Sequence, residues 1–435
     1  MGTYSKENVA SPVSSLPVEI LILIFDIYLS RGPVFEDEFH GYYDGYLNSR
    51  CSPLILMQVC SHWRAIALAT PSLWTFICPS YNPIRYIRHW LAICPKYPLD
   101  LQLANRAIED VPRGYVYAVF NLFTKEAHRW RSLSIDFDHD VAEGFVKLLQ
   151  SDRTVPLLLE DLKIEAFQLD HMVPVSTFHA IAALLSRLKA LRRLIWVDSR
   201  GEGPLHGIPW SQLKTVTIKL PSSLEDIFSY LSQCTSATQV EFCTETPLQP
   251  QKTRLPSHRL PPLTLPHLTS IRLSRGCDPM WLLQHFTMPS LQHLEIGVLR
   301  RNQPFLEEFV KRSPHLHTLI VDERYHEDYD LYVDQVPVSD HEIIAYLTNP
   351  SLRAIPRVGI DLTYAKERTL ALIQQRLDAH RPLPPLLCWR PSLYQRLVGW
   401  WDKLDPTFDA LLFSYKEGSV EFSPEYEFDD SDCLS

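Results

Sequence analysis

The 435 residues carry a formal net charge of −9, and 46% of them are hydrophobic, enough to fill a substantial core. An acidic balance disfavours generic binding to nucleic acid or to an anionic membrane, because both need a basic excess. The nine cysteines, at 51, 60, 78, 94, 234, 243, 277, 388 and 433, are odd in number, lack C-x-x-C spacing and mostly have apolar neighbours, which points to a reducing compartment.

Residues 1–13 read as a disordered N-terminus without the apolar run of a leader, and Lys6 stands where a myristoylation signal needs Ser or Thr. The apolar run Ile20 to Phe25 is far too short for a membrane span, so a cytoplasmic or nuclear location is expected. From Leu16 the character changes. Pro17 and Glu19 suit a helix start, the first because its missing N–H would be unpaired there, the second because its charge meets the positive helix end. Ile20, Leu21, Ile24 and Phe25 are expected to form one apolar face and Leu23 and Ile27 another, so the helix must be covered on most sides. Residues 31–51, with three glycines, four carboxylates and five Phe or Tyr, read as an exposed loop. Ser52 is a plausible cap ahead of Pro53, and Leu56, Val59, Cys60, Trp63 and Ala67 fall at helical spacing until Thr70-Pro71. Two such apolar helices imply docking onto the rest of the chain or onto a partner, and by periodicity alone they read equally as the start of a core.

The ordered string Leu16-Pro17-Val18-Glu19-Ile20-Leu21, Ile24-Phe25, Val59-Cys60-Ser61-His62-Trp63-Arg64 and Leu73-Trp74 resembles an F-box, in the form common among mushroom-forming fungi. The resemblance runs from Leu16 to Trp74 and needs the Leu-Pro start, the Val-Cys-x-x-Trp-Arg centre and the Leu-Trp close in that order. It implies a three-helix module over residues 14–80. It also implies that Leu16, Pro17, Ile20, Leu21, Ile24, Val59, Cys60, Trp63 and Trp74 contact a Skp-family adaptor, and through it a cullin, in an SCF-type ubiquitin ligase. The loop at 31–51 lengthens the connection between the first two helices, a departure that bears on whether an adaptor can dock.

Beyond the module, Asn82-Pro83 opens a helix with Ile84, Ile87, Trp90 (or Leu91) and Cys94 on one face, and Pro98 to Leu103 alternates as a strand does. A leucine-x-x-leucine-x-leucine motif, or a near form, then recurs. Its strand cores are Leu133/Ile135, Leu162/Ile164, Leu194/Trp196, Val216/Ile218, Val240/Phe242, Ile271/Leu273, Leu294/Ile296 and Leu319/Val321, spaced 22 to 32 residues apart. Amphipathic helices are expected between them over Val141 to Leu149, Phe178 to Leu188, Leu224 to Leu231, Trp281 to Phe286, Phe305 to Val310 and Ile343 to Leu347. One strand and one helix cannot bury their own apolar faces. Residues 81–381 are therefore expected to stack as an α/β solenoid, with short parallel strands inside and helices outside. The array resembles an irregular leucine-rich-repeat horseshoe, although the position after the strand that usually holds Asn or Cys is here Asp138, Phe167, Ser199, Pro221, Glu245, Gly276, Leu299 and Arg324.

Residues 247–266 hold six prolines and read as an extended strap or mobile loop. Leu352/Ile355 reads as a last strand and Thr369 to His380 as a capping helix. Residues 382–416 are expected to be a Pro-rich linker with a Trp-rich piece, and 417–435 an acidic disordered tail.

No glycine-rich phosphate loop, G-x-S-x-G or H-E-x-x-H is present. The cluster Asp136, Asp138, His139 and Asp140, and the cluster His326, Glu327, Asp328 and Asp330, read as solvated turn residues. Cys433, in an acidic tail that disfavours thiolate, reads as inert. No catalytic, metal or cofactor site is expected. For a target protein, the inner strand face offers Lys163, Glu165, Thr217, Lys219, Glu241, Arg272, Ser274 and Glu295. Arg200, Arg275, Arg300, Arg301 and Arg324 follow strand ends, where they would suit a phosphorylated or acidic segment, though such residues are ordinarily a solvated edge. The expectation is a non-catalytic target-binding subunit, monomeric within a hetero-complex. The rival is a repeat scaffold whose apolar head only caps the array, and nothing in the sequence asks for an enzyme.

Overall fold

The computed structural model describes residues 16–30, 53–79, 83–103, 113–166, 173–198, 205–244, 262–274, 280–296, 303–321, 355, 357–360 and 386–387. The chain divides into one unit over Met1–Pro209 and a second over Trp210–Ser435. The division falls within the strand–helix succession, not at the end of the apolar head.

In the first unit, Pro17 sits ahead of α1 (Val18–Ser30), its carbonyl accepting from the N–H groups of Ile20 and Leu21 at 3.1 Å. The second helix expected from spacing is two, α2 (Pro53–Val59) and α3 (Ser61–Ala69). Cys60 is extended (φ −160°, ψ 171°), and its Sγ accepts the Trp63 N–H at 3.4 Å as the cap of α3. Val59 and Trp63 therefore belong to different helices. A 3-10 turn (Pro71–Trp74) leads into β1 (Phe76–Ile77), which pairs in parallel with β2 (Leu99–Leu103) after the intervening α4 (Ile84–Ile93).

Then come α5 (Arg113–Thr124), β3 (Trp130–Asp136), α6 (His139–Gln150), β4 (Asp161–Ala166), α7 (Val175–Leu184) and β5 (Arg193–Asp198). Helix α5 is an addition to the sequence reading. Each strand lies parallel to the next, with Leu133, Leu162 and Leu194 in register and Ile135, Ile164 and Trp196 in register. These residues are buried under the helices. Phe137 packs on Phe145 of α6 (5.5 Å) and on Phe178 of α7 (6.2 Å), and Phe178 on Trp196 (6.0 Å), so one aromatic row ties two helices to the sheet. Helices α5 and α6 approach closely at Gly144, where a Cβ would lie 2.7 Å from Phe120 Cε1.

The second unit repeats the scheme with β6 (Thr215–Ser222), α8 (Leu224–Gln233), β7 (Gln239–Thr244), β8 (Leu263–Thr264), β9 (Ser270–Ser274), α9 (Met280–Leu283), β10 (Phe286–Thr287), β11 (His293–Ile296), α10 (Gln303–Arg312), β12 (Thr318–Val321), β13 (Arg357–Ile360) and β14 (Leu386–Leu387). Strands β6, β7, β9, β11, β12, β13 and β14 are neighbours in that order, and Val216, Val240, Ile271, Leu294, Leu319 and Val358 stand in register. The first apolar position of each motif, three residues before the strand core, is also buried: Trp130, Leu159 and Leu191 in the first unit, and Leu213, Ala237, Leu268, Leu291 and Leu316 in the second. In place of an Asn or Cys ladder, backbone groups are satisfied at the strand entrances. The Thr238 hydroxyl donates to the Lys214 carbonyl (3.1 Å) and the Thr269 hydroxyl to the Thr238 carbonyl (2.9 Å).

Four expectations are corrected here. Ile355 is not the core of the last strand but its buried leading position, ahead of Val358 and Ile360 in β13. Phe286 lies in β10 instead of ending a helix, because α9 stops at Leu283. The end of the strap, β8, is hydrogen-bonded to β10 in a separate two-stranded sheet, with the Leu263 N–H donating to His285 at 2.9 Å. Strand β14, within the segment read as a linker, pairs with β13. The expected helices at Ile343 to Leu347 and Thr369 to His380, the Trp-rich piece and the acidic tail lie outside the described residues. No helix among the described residues is long and apolar enough to cross a membrane.

Candidate functional site

Helix α1 carries two apolar stripes. Leu21 and Phe25, four apart, are buried to 0% exposure, while Ile20, Leu23, Ile24 and Ile27, at i, i+3, i+4 and i+7, are 43%, 53%, 41% and 44% exposed. The faces therefore divide differently from the sequence reading, which joined Ile20 and Ile24 to the buried pair. Val59, at the end of α2, is 57% exposed. Cys60 and Pro17 are exposed too, and Leu16 is half-buried. Trp63 is half-buried, its ring 4.7 Å from that of Phe25. Two residues expected at the contact are internal instead, Leu21 and Trp74, and their part is to hold the helices together.

Trp74 is the pivot of that packing. Its Nε1 donates to the Ala67 carbonyl (2.8 Å), its ring meets Trp90 of α4 edge-on at 5.6 Å, and its own carbonyl accepts from Cys94 Sγ at 3.3 Å. One residue later, the Thr75 carbonyl accepts the Asp100 N–H at 3.0 Å. Buried Arg129 completes the junction, donating to the carbonyls of Leu91, Cys94 and Tyr97 at the end of α4.

A second arrangement lies on the sheet face away from the helices. Across β6, β7, β9 and β11, Lys219 pairs with Glu241 (3.8 Å), Glu241 with Arg272 (3.6 Å), Arg272 with Glu295 (2.7 Å) and Glu295 with His293 (3.7 Å). In the first unit Lys163 pairs with Glu165 at 3.1 Å. The strand cations expected to meet a target are thus each matched by a carboxylate of the same face, which weakens the case for a phosphorylated ligand there. Arg200, Arg275, Arg300, Arg301 and Arg324 lie outside the described residues.

Burial of Glu295 acts to raise its pKa, but the hydrogen bond from His293 and the guanidinium of Arg272 outweigh it and hold the carboxyl below its ordinary value of 4.5. With the folded value the lower one, the pair adds stability above pH 4.5 that is lost as pH falls through the folded value. Glu295→Gln is expected to lower stability by about 1–2 kcal/mol near neutrality and to flatten the fall as pH drops below 4.5. Urea midpoints across that range are the readout, and an equally steep fall in the variant would dismiss the assignment.

Other chemical groups have structural roles. Asp138 caps α6 by accepting the Val141 N–H at 2.8 Å. Among the described residues, no group of three or more His, Cys, Asp or Glu is placed to hold a metal ion. Among the described residues, Cys60, Cys78, Cys94, Cys234 and Cys243 are thiols outside any disulfide. Burial pushes Cys234 up to about 12, where it stays a thiol.

Residues 13–80 match the family described as F-box-like, so an F-box-like domain occupies the head of the chain. Among solved structures, the chain is similar to a protein of Bacteroides fragilis at 11% identity and a TM-score of 0.36, over 72% of this chain and 85% of that one. No curated protein matches.

Proposed function

We propose that this chain is the target-recognition subunit of an SCF-type cullin-RING ubiquitin ligase, of the fungal F-box kind. Its F-box-like domain docks a Skp-family adaptor, and its strand–helix array, an irregular leucine-rich-repeat-like solenoid, holds a target protein. The observation that carries the reading is the second apolar stripe of α1, left uncovered in a domain that matches the F-box-like family. Four branched aliphatic side chains in line on one helix face gain little by facing water, and such a face marks a protein contact. Ile20, Leu23, Ile24 and Ile27, with Val59, form its core. The chain does no bond chemistry itself and raises the effective concentration of the target beside the ligase, in the cytoplasm or nucleus.

The test is co-purification of the full chain with a purified Skp-family adaptor and its cullin. Capture of both supports the reading. A folded chain that captures neither favours the rival, a scaffold whose head only caps the array. Trp63→Ala separates a contact role from a packing role, since its ring rests on Phe25 and is also half-exposed. Adaptor affinity is expected to fall by about 30-fold or more, with a stability loss of about 1–2 kcal/mol from the space left beside Phe25. Titration calorimetry and thermal melting read the two effects, and a stability loss with unchanged affinity would remove Trp63 from the contact.

A further inference from the structure

Charge is unevenly distributed along the chain. Residues 45–99 contain no Asp or Glu, whereas the composition of 51 carboxylates in 435 residues would place about six there. The same stretch holds Arg50, Arg64, Arg85, Arg88 and Lys96. It covers α2, α3 and β1 of the head and continues into α4, beyond the matched domain.

On α4 the cations are gathered on one side. Ile87, Trp90 and Leu91 are buried, and Trp90 packs on Trp74. Arg85, Arg88 and His89 are exposed on the opposite face, with Tyr86 beside them, half-exposed, and the Arg85 guanidinium 5.1 Å from the centre of its ring. Lys96 follows, also exposed, just past the helix end. No carboxylate among the described residues pairs with Arg85, Arg88 or Lys96. The position of Arg85 does not serve the helix. Arg85 is the second residue of α4, where the positive end of the helix dipole repels a cation, and the first turn has no acidic residue to offset it. A solvated face would be expected to mix both signs of charge.

We infer that the outer face of α4, through Arg85, Arg88, His89 and Tyr86, binds an acidic segment of the same adaptor that the F-box-like domain docks. The inference rests on the adaptor-docking reading and extends it past residue 80. Guanidiniums recognise carboxylates through paired N–H donors, and the packing of Trp90 on Trp74 holds α4 beside the domain that docks the adaptor. A protein is favoured over a nucleic acid. Five cations in 55 residues are too sparse to follow a phosphate backbone, and the chain as a whole carries −9.

The experiment measures binding of the purified adaptor to the full chain and to R85E/R88E at about 50 mM and about 300 mM salt, with single- and double-stranded oligonucleotides as a second probe. The expected result is affinity about tenfold lower for the variant at low salt, a flatter salt dependence, and a thermal midpoint no lower than the parent's, because the reversal suits the helix dipole. Equal adaptor affinity and equal salt dependence for parent and variant would overturn the inference while leaving adaptor docking intact. Oligonucleotide binding that only the variant loses, with adaptor affinity unchanged, would also overturn it and assign the face to nucleic acid. If the parent fails to bind the adaptor, both this inference and the proposed function fall.

Discussion

Ile24→Asp is expected to abolish adaptor capture by the full chain while leaving its thermal midpoint within about 1 °C of the parent. In the free chain residue 24 is 41% exposed, so a carboxylate there keeps much of its water. Once a partner covers the stripe, the same carboxylate is unpaired among apolar groups, which costs about 3–5 kcal/mol. That corresponds to binding weaker by a factor of about 100 to 5,000. The Asp variant is more diagnostic than a truncation, because Ala at this position removes only part of one side chain. Titration of parent and variant with adaptor, beside thermal melting, decides the matter. Retained affinity would mean that the stripe is not the contact. A collapsed midpoint would mean that the stripe is covered by the chain itself, as the rival scaffold reading requires.

Trp74→Ala should act in the opposite sense, on the fold. The side chain is 1% exposed, hydrogen-bonded to Ala67 and packed on Trp90. Its removal leaves a large cavity and takes from the Ala67 carbonyl one of its two hydrogen bonds, the other coming from the Thr70 N–H, at a cost of about 3–5 kcal/mol. For a unit of roughly this size, that lowers the melting temperature by about 6–20 °C. Limited proteolysis should show faster cutting between α3 and β2 in the variant. A melting temperature unchanged from the parent, with adaptor binding lost, would return Trp74 to the surface role that its place in the sequence motif implies.

The contrast between Ile24 and Trp74 shows what the sequence could and could not convey. The strand cores were legible because an apolar pair at i and i+2, preceded by another at i−3, survives any change of partner, and each pair from Leu133/Ile135 to Leu319/Val321 lies in a strand. The frame was lost at Ile355, since leucine-x-x-leucine can be the first half of the motif or stand for the strand itself. Helix α5 was legible but unread, as Val116, Val119, Phe120 and Phe123 recur at i, i+3, i+4 and i+7 and are buried. The break at Cys60 was hidden because a residue that leaves helical geometry need not disturb the spacing on either side of it. Which stripe of α1 faces inward was not legible at all. Both stripes are apolar, and the position of Trp63 against Phe25 marks the inward one. The ion pairs of the sheet face depend on register between strands about 25 residues apart, so charge signs alone made Lys219 and Arg272 seem available.

The pairing of β1 with β2 and the lodging of Trp74 against α4 bear on how such a head is exchanged between proteins. A gene segment ending near residue 80 carries the whole recognisable domain, yet leaves behind the Trp90 ring that covers Trp74 and the strand that pairs with β1. Recombination that moved the head alone would deliver a module with an open strand edge and an uncovered tryptophan. A viable exchange has to carry α4 and β2 along, so the segment inherited as a unit is longer than the one that sequence similarity outlines.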